Sequence, residues 1–339
     1  MPSDKKQCEL PVILLFNLDP SWAPHDRKRI AEETESLGSA MRRIGHPVTL
    51  LPVLDADLSK LLECYHPDEH IVLNLCESIP SIPNSEAQVA ATLESLEFVF
   101  TGSNAPVLAL SEDKNQVKEI LVGSGIQTPD WCLCSSAEAN GWTCFPAIVK
   151  SAVQHCSEGL TSDAVVMTEQ ELLERVSYVL EVSHQPVLVE DFIDGREFHV
   201  SLWGNGHIRM LPPAEMDFSA FSKVCERLCT YEAKFVPEST HYKGIKTLLP
   251  APLDDDEYRL LEEVAVSAYR AIGCRDYGRI DIRLQNGIFY VLDVNPNADI
   301  SADASMACAA KLGGYSYGHL GSELVKLAAQ RHPTLKQLA

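Results

Sequence analysis

Two short segments near the C-terminal end carry residues whose types and spacing can do chemistry: Tyr277-Gly-Arg-Ile-Asp281 and Asp293-Val-Asn-Pro-Asn297. Strand residues alternate sides, so Arg279, Asp281 and Arg283 share one face while Ile280 and Ile282 take the other. Gln285-Asn286-Gly287 is a hairpin signal. The run that follows, up to Asn295, turns Asp293 and Asn295 to one side. Paired antiparallel, the two strands gather two carboxylates, an amide oxygen and a guanidinium. Hard oxygen ligands of this kind suit Mg²⁺, which keeps several waters and leans on substrate phosphates. The plain alternative is a surface ladder of an Arg between two Asp, worth little energetically.

The elements that must position this hairpin follow from periodicity. Residues 11–16 form a buried strand, an amphipathic segment runs from about Arg27 to Gly45, and a second apolar run spans His46 to Leu54. With the run His70 to Leu75 and the helical pattern Ser85 to Leu96, this predicts a parallel sheet flanked by helices over residues 1–105. A second, smaller unit is predicted over 106–194. It has a helix after Ser111-Glu-Asp-Lys114, the strand Phe145 to Lys150, a polar loop Ser151 to Gly159, a helix Thr168 to Val182, and the strand Pro186 to Glu190. Residues 195–339 form the third unit: strands Glu197 to Trp203 and His207 to Leu211, a helix Asp254 to Ile272, the hairpin, and closing helices Ala302 to Leu312 and Tyr317 to Ala329. Between Pro212 and Pro252 the periodicity fades, and a loop that long in a compact domain reads as a lid over about 212–250. The fold class is therefore α/β.

Bulk composition narrows the partners. A formal net charge of −20 opposes binding to nucleic acid or anionic membrane. The hydrophobic content of 45% is ordinary for a globular chain, and no apolar run approaches membrane-spanning length, so a cytoplasmic location is expected. The 11 cysteines lack paired C-x-x-C spacing, which predicts scattered reduced thiols and no zinc site. A dinucleotide-binding oxidoreductase would need a G-x-G-x-x-G turn after the first strand, and Asn17-Leu-Asp-Pro-Ser-Trp lacks it.

Several further pieces stand in a telling order. They are Thr101-Gly-Ser with Asp113-Lys114, Ile148-Val-Lys150 with Ser157-Glu-Gly159, Val189-Glu-Asp-Phe-Ile-Asp-Gly-Arg-Glu197, Tyr231-Glu-Ala-Lys234, Arg279-Ile-Asp281 and Asp293-Val-Asn295. In order and spacing they resemble the ATP-grasp ligases, most closely the D-alanine–D-alanine ligase-like branch. The match covers nearly the whole chain and is stronger from Thr101 onward.

The resemblance implies an ATP-grasp fold with an N-terminal parallel-sheet domain, a small central α+β domain and a C-terminal α+β domain. It implies ATP as co-substrate, Mg²⁺ (or Mn²⁺) held by Asp281, Asp293 and Asn295, and small amino-acid or carboxylate substrates; a homodimer is expected on the same ground. Lys114 and Lys150 would face the nucleotide phosphates, and the loop Ala152 to Gly159 would cover them through Ser157 and Gly159. Glu190 would end a hinge strand, Asp191, Phe192 and Ile193 would border the adenine, and Glu197 would accept from the ribose hydroxyls. Arg279 would stabilise charge on the transferring phosphoryl group. Lys234, Ser157 and Glu86 complete the implied catalytic set.

The implied reaction makes an acyl phosphate from a carboxylate and ATP, which an amine then attacks. The acceptor half departs from the pattern. Asp299 stands where the D-alanine ligases carry a Gly, Asp293 where Glu is more frequent, and Phe235 where Tyr is frequent. The N-terminal glutamate has no counterpart after the first strand; Glu86, or alternatively Glu77, is the acidic residue placed for the first substrate. A ligase acting on another amino acid or small acid is the leading expectation. A true D-alanine–D-alanine ligase and a non-catalytic nucleotide binder are the alternatives.

Overall fold

The structure, a computed structural model, describes residues 10–338 apart from 137–140, 154–159, 231, 232, 234, 235 and 237. Its first sheet is parallel, with strands β1 (Val12–Asn17), β2 (Val48–Val53), β3 (Ile71–Leu75) and β4 (Val99–Phe100) in the order β2-β1-β3-β4. Every residue of β1 is buried, as a strand covered on both faces requires. Alternate side chains feed two cores. Ile13 and Leu15 meet Leu58, Leu62, Val89 and Leu93 of helices α2 (Leu58–Leu62) and α3 (Glu86–Ser95). Val12, Leu14 and Phe16 face Leu37 and Met41 of α1 (Pro24–Arg43).

Helices α4 (Ala105–Glu112) and α5 (Lys114–Gly123) lead to a second sheet. Its strands β5 (Trp131–Cys134), β6 (Ala147–Ser151), β7 (Val165–Val166) and β8 (Val187–Asp191) pair antiparallel in the order β5-β8-β6-β7. Helix α6 (Glu169–Ser183) starts at Thr168, whose side chain caps the Glu171 N–H, and buries Leu172, Val176 and Val179 against this sheet.

The third sheet holds β9 (Arg196–Trp203), β10 (Arg209–Met210), β11 (Ala214–Asp217), β12 (Lys246–Leu248), β13 (Tyr277–Gln285) and β14 (Ile288–Asn295), ordered β12-β11-β9-β13-β14 with β10 beside β9. A short helix α7 (Thr240–Gly244) precedes β12, and α8 (Asp255–Ile272) follows it. A capping box between Asp254 and Glu257 starts α8. Its buried stripe of Leu261, Ala265, Ala268, Tyr269 and Ile272 covers one face of the sheet, where Phe198, Val200, Leu202, Ile280 and Ile282 point. The opposite face is left for polar residues.

The segment 212–250 differs from the expected irregular lid. Its two ends are β11 and β12, which extend the third sheet beyond β9. The closing helices α9 (Ser305–Leu312) and α10 (Tyr317–Ala329) pack away from the hairpin they follow: Leu320, Leu324, Val325 and Ala328 share a core with Val12, Leu14 and Leu73 of the first sheet. A Cβ at Gly318 would collide with the Ala40 backbone of α1, so glycine lets α10 lie directly on α1. His46 ties the same contact, bridging Leu10 O at 3.1 Å and Ser322 Oγ at 2.8 Å. Among the described residues no helix is long and apolar enough to cross a membrane.

Candidate active site

The hairpin turn Asn286-Gly287 takes positive φ at both residues, 53° and 79°, the type I′ geometry that matches strand twist. It sets the register in which Asp281 opposes Asp293 and Arg279 opposes Asn295. A bulge then skips Leu292, so that Val291 and Val294 both reach the core while Asp293 and Asn295 keep the polar face. On its other side β13 pairs with β9, setting Ser201, His199 and Glu197 beside Arg279, Asp281 and Arg283.

Like charges directly opposite one another destabilise a sheet unless they are compensated. Here Arg279 takes Asp281 in a fork, Nε to Oδ1 at 2.6 Å and Nη2 to Oδ2 at 2.9 Å. Lys114 Nζ lies 3.3 Å from Asp293 Oδ2, and Asn295 Nδ2 donates to Asp281 Oδ2 at 3.3 Å. Asp113 caps α5 through the Gln116 N–H, and the Lys114 backbone N–H donates to Ala152 O at 3.1 Å, which fixes that lysine at the start of the helix.

Behind them a buried charge cluster sets Lys150. Glu190 Oε1 is 2.5 Å from Lys150 Nζ, and Oε2 is 2.8 Å from Lys118 Nζ. Lys118 also donates to Thr128 Oγ1 at 2.8 Å and Pro129 O at 3.1 Å. Burial raises the Glu190 carboxyl, yet the two ammonium groups outweigh it and hold it below the usual range. Burial works against the charge on both lysines; Glu190 and Asp293 reverse that for Lys150, whereas Lys118 is left lowered.

Lys114, Lys150, Arg279, Asp281, Asp293 and Asn295 all line one cleft of ≈ 670 Å³. Lys114, Lys150 and Arg279 supply cations to its lining, together with Asp281, Asp293 and Asn295, and Asp19, Glu77, Glu86, Glu112 and Asp299 add further carboxylates. Glu86, the first residue of α3, accepts from Asn297 Nδ2 at 2.7 Å, and Asn297 Oδ1 accepts from the Ser103 N–H at 2.8 Å. Gly102, with φ of 90°, is the neighbour whose missing Cβ makes room for Asn297. Burial pushes the Glu86 carboxyl up to about 8, against the Asn297 hydrogen bond and with the charge of Glu77 adding to it. The Glu77 carboxyl is also raised, by desolvation and then by Asp299.

The sequence-predicted residues thus fall into three groups. Glu86, Lys114, Lys150, Arg279, Asp281, Asp293 and Asn295 converge on the cleft. Glu190, Asp191, Phe192, Ile193 and Glu197 are not among its lining residues. Glu190 stands behind Lys150 as its counter-charge. Desolvation, then Asp130, raises the Asp191 carboxyl. Phe192 packs with Ile148, Val165 and Leu228, its ring 4.6 Å from the Arg283 guanidinium, and Ile193 O accepts from Arg283 Nη1 at 2.7 Å. One Glu197 carboxylate oxygen is taken by Arg283 Nε at 2.7 Å. Ser157, Gly159 and Lys234, with Tyr231 and Phe235, lie outside the described residues. Sequence reading missed Lys118 and Asn297. Lys118 stands four residues after Lys114, hence on the same helical face, which is the signal that could have found it.

A protein-family model described as D-ala D-ala ligase C-terminus matches residues 125–326. Among curated proteins, an uncharacterised protein of Sinorhizobium fredii, y4sG, is 31% identical over 91% of this chain and 90% of its own. The D-alanine–D-alanine ligase of Marinomonas sp. is 32% identical over 72% of this chain and 73% of its own. The crystal structure of the Bacillus anthracis D-alanine–D-alanine ligase complexed with ATP superposes with a TM-score of 0.73, covering 95% of this chain and 98% of that one at 18% identity. With its parallel first sheet, two antiparallel sheets and a charged cleft carried on the β13–β14 hairpin, the chain belongs to the D-alanine–D-alanine ligase family of ATP-grasp carboxylate–amine ligases.

Proposed function

We propose that the chain joins a small carboxylate to an amine, using ATP and forming ADP and phosphate, with an amino acid or small carboxylic acid as acyl donor. The observation that carries this reading is one cleft whose lining holds Lys114, Lys150 and Arg279, two of them paired with Asp293 and Asp281, together with the neighbouring carboxyls Glu77, Glu86 and Asp299. A donor carboxylate oxygen attacks the γ-phosphorus of ATP, ADP leaves, and an acyl phosphate results. An amine then attacks the acyl carbon, phosphate leaves, and the amine gives up a proton as the amide forms.

Each residue has a part that its surroundings support. Lys114 and Lys150 offset phosphate charge in a chain that is otherwise acidic. Arg279, fixed by its fork to Asp281, is a preorganised donor for charge that develops on the phosphoryl group and the tetrahedral centre. Asp281 on β13 and Asp293 and Asn295 on β14 supply two carboxylates and an amide on one face of the sheet, a hard-oxygen set that fits Mg²⁺ and that two cations accompany. When bound, the ion would neutralise phosphate charge. Glu86 and Glu77 suit a substrate ammonium group.

The acceptor side is where the expected family pattern and this chain differ. Asp299 lines the cleft with its carboxylate, held by hydrogen bonds from the Ser301 N–H and Oγ at 2.8 and 2.5 Å. A negative wall there disfavours an acceptor that carries its own carboxylate, as a second D-alanine does. The second reading, a D-alanine–D-alanine ligase, is favoured by the names of the relatives. Purified protein with Mg·ATP is to be screened for ADP release against D-alanine, pooled L- and D-amino acids and small carboxylic acids, with mass spectrometry of products. An amide product other than D-alanyl-D-alanine is expected. D-Alanyl-D-alanine as main product overturns the acceptor argument, and ATP binding without turnover on any pool overturns the ligase reading in favour of a nucleotide binder.

A further inference from the structure

Three donors from separate parts of the chain meet on the polar face of the third sheet. Glu197 and His199 lie two residues apart on β9 and so share a face. Cys229 reaches them from the segment that follows the 3₁₀ turn Val224–Glu226. One carboxylate oxygen, one imidazole nitrogen and the sulfur lie within 4.8 Å of one another, a grouping of metal-ligand type among the described residues. His199 Nε2 and Glu197 Oε1 are 3.6 Å apart. A tetrahedral ion with bonds of about 2.0–2.3 Å holds its donors roughly 3.3–3.7 Å apart, so this pair already has the spacing.

The remaining atoms of two ligands are engaged in the way such sites need. Arg283 Nε occupies Glu197 Oε2 at 2.7 Å, which leaves Oε1 toward His199. His199 Nδ1 meets Ser305 Oγ at 3.2 Å, which orients the ring and leaves Nε2 for coordination. Glu197 and His199 are buried, whereas Cys229 is partly exposed and marks the side of entry. A thiolate with an imidazole and one carboxylate prefers a borderline-soft cation to Mg²⁺. Thiolate and carboxylate together cancel a divalent charge.

We propose that Glu197, His199 and Cys229 form a site for a Zn²⁺-class divalent cation, separate in donor chemistry from the hard-oxygen set Asp281, Asp293 and Asn295. Cysteine spacing does not reveal it, because only one thiol takes part and the other donors come from a strand. Should Glu197 also meet the ribose, as the ligase reading has it, zinc and nucleotide exclude one another there. That consequence rests on the proposed function; metal binding by itself does not.

The test uses full-length protein, reduced and freed of metal with a chelator, in the absence of nucleotide. Titration with Co²⁺ is expected to give a saturable tetrahedral ligand-field spectrum with a thiolate-to-cobalt charge-transfer band, displaced by Zn²⁺. Cys229→Ser should abolish that band and His199→Gln should weaken binding about tenfold or more, while Cys64→Ser, at an exposed thiol, leaves both unchanged. A band unaltered in Cys229→Ser, or no saturable binding, overturns the proposal. As a readout that needs no variant to fold, Zn²⁺ should protect Cys229 of the wild-type chain from alkylation, followed by peptide mass spectrometry. Equal labelling with and without Zn²⁺ overturns it as well.

Discussion

Asp281 and Asp293 face one another across the hairpin, and Arg279 and Lys114 are cations that offset their charge. Arg279→Ala should therefore lower the rate of ADP release ~10²- to 10³-fold, the loss typical of a preorganised charge-stabilising donor. It should also leave Asp281 short of its fork, so that Mg²⁺ raises the melting temperature of the variant more than that of the parent. Unchanged turnover removes Arg279 from the mechanism. Glu86 supplies a pH signature. Its carboxyl, raised to about 8 by burial, holds a proton in the free protein at neutral pH, whereas an ammonium group needs the carboxylate. The KM for the ammonium-bearing substrate should accordingly fall as pH rises towards about 8, and Glu86→Gln should flatten that fall. A parent enzyme whose KM does not move over this range, measured by initial rates, would place the ammonium elsewhere.

Elements carried by local pattern were legible in the sequence, and those made by distant partners were not. The alternation through Arg279 to Arg283, the Asn286-Gly287 turn and the Asp254 start of α8 are written within a few residues, and the structure shows β13, β14 and α8 there. Strands β11 and β12 were hidden in the expected lid because each is short, lies near prolines and is defined only by pairing with β9 or with each other. Helix α4 was missed because Pro106 and a nearly unbroken apolar run blur its period. In the site, Lys114, Lys150, Asp281, Asp293 and Asn295 could be named from motif and strand phase. The Glu190 bond to two lysines and the Asn297 bridge to Glu86 depend on chain segments far apart, and no local spacing encodes them. The packing of α10 on α1 is similarly invisible in sequence and gives a test of its own. Gly318→Ala places a methyl group against the Ala40 backbone and should cost about 1–3 kcal/mol, read from chemical denaturation, with activity per folded molecule preserved. A wild-type midpoint would mean that the two helices separate freely.

At the scale of the whole molecule, one buried carboxylate joins the first and third sheets. Asp276, wholly buried, takes Arg331 in a fork at 2.6 and 2.7 Å and accepts from the Gly102 N–H and Asn205 Nδ2, each at 2.9 Å. Arg331→Ala strands that charge and should destabilise the chain by about 3 kcal/mol, measured by urea unfolding; a change within error would mean that Gly102 and Asn205 suffice. Trp203, Leu211 and Tyr277 of the third-sheet region share their core with Leu14, Leu73 and Leu324, whereas the second sheet closes a separate core around Val149, Leu172 and Val189. The first and third sheets therefore share one continuous core, and the two segments that lead into and out of the second sheet are fastened to the third: the Val291 N–H donates to Gln127 O at 2.8 Å, and Ile193 O accepts from Arg283 Nη1 at 2.7 Å. Lys150 stands on the second sheet and Arg279 on the third, so the spacing of these two cations across the cleft is set by how two separately cored sheets are joined, and a substitution in either joining segment should reach the cleft without touching a residue that lines it.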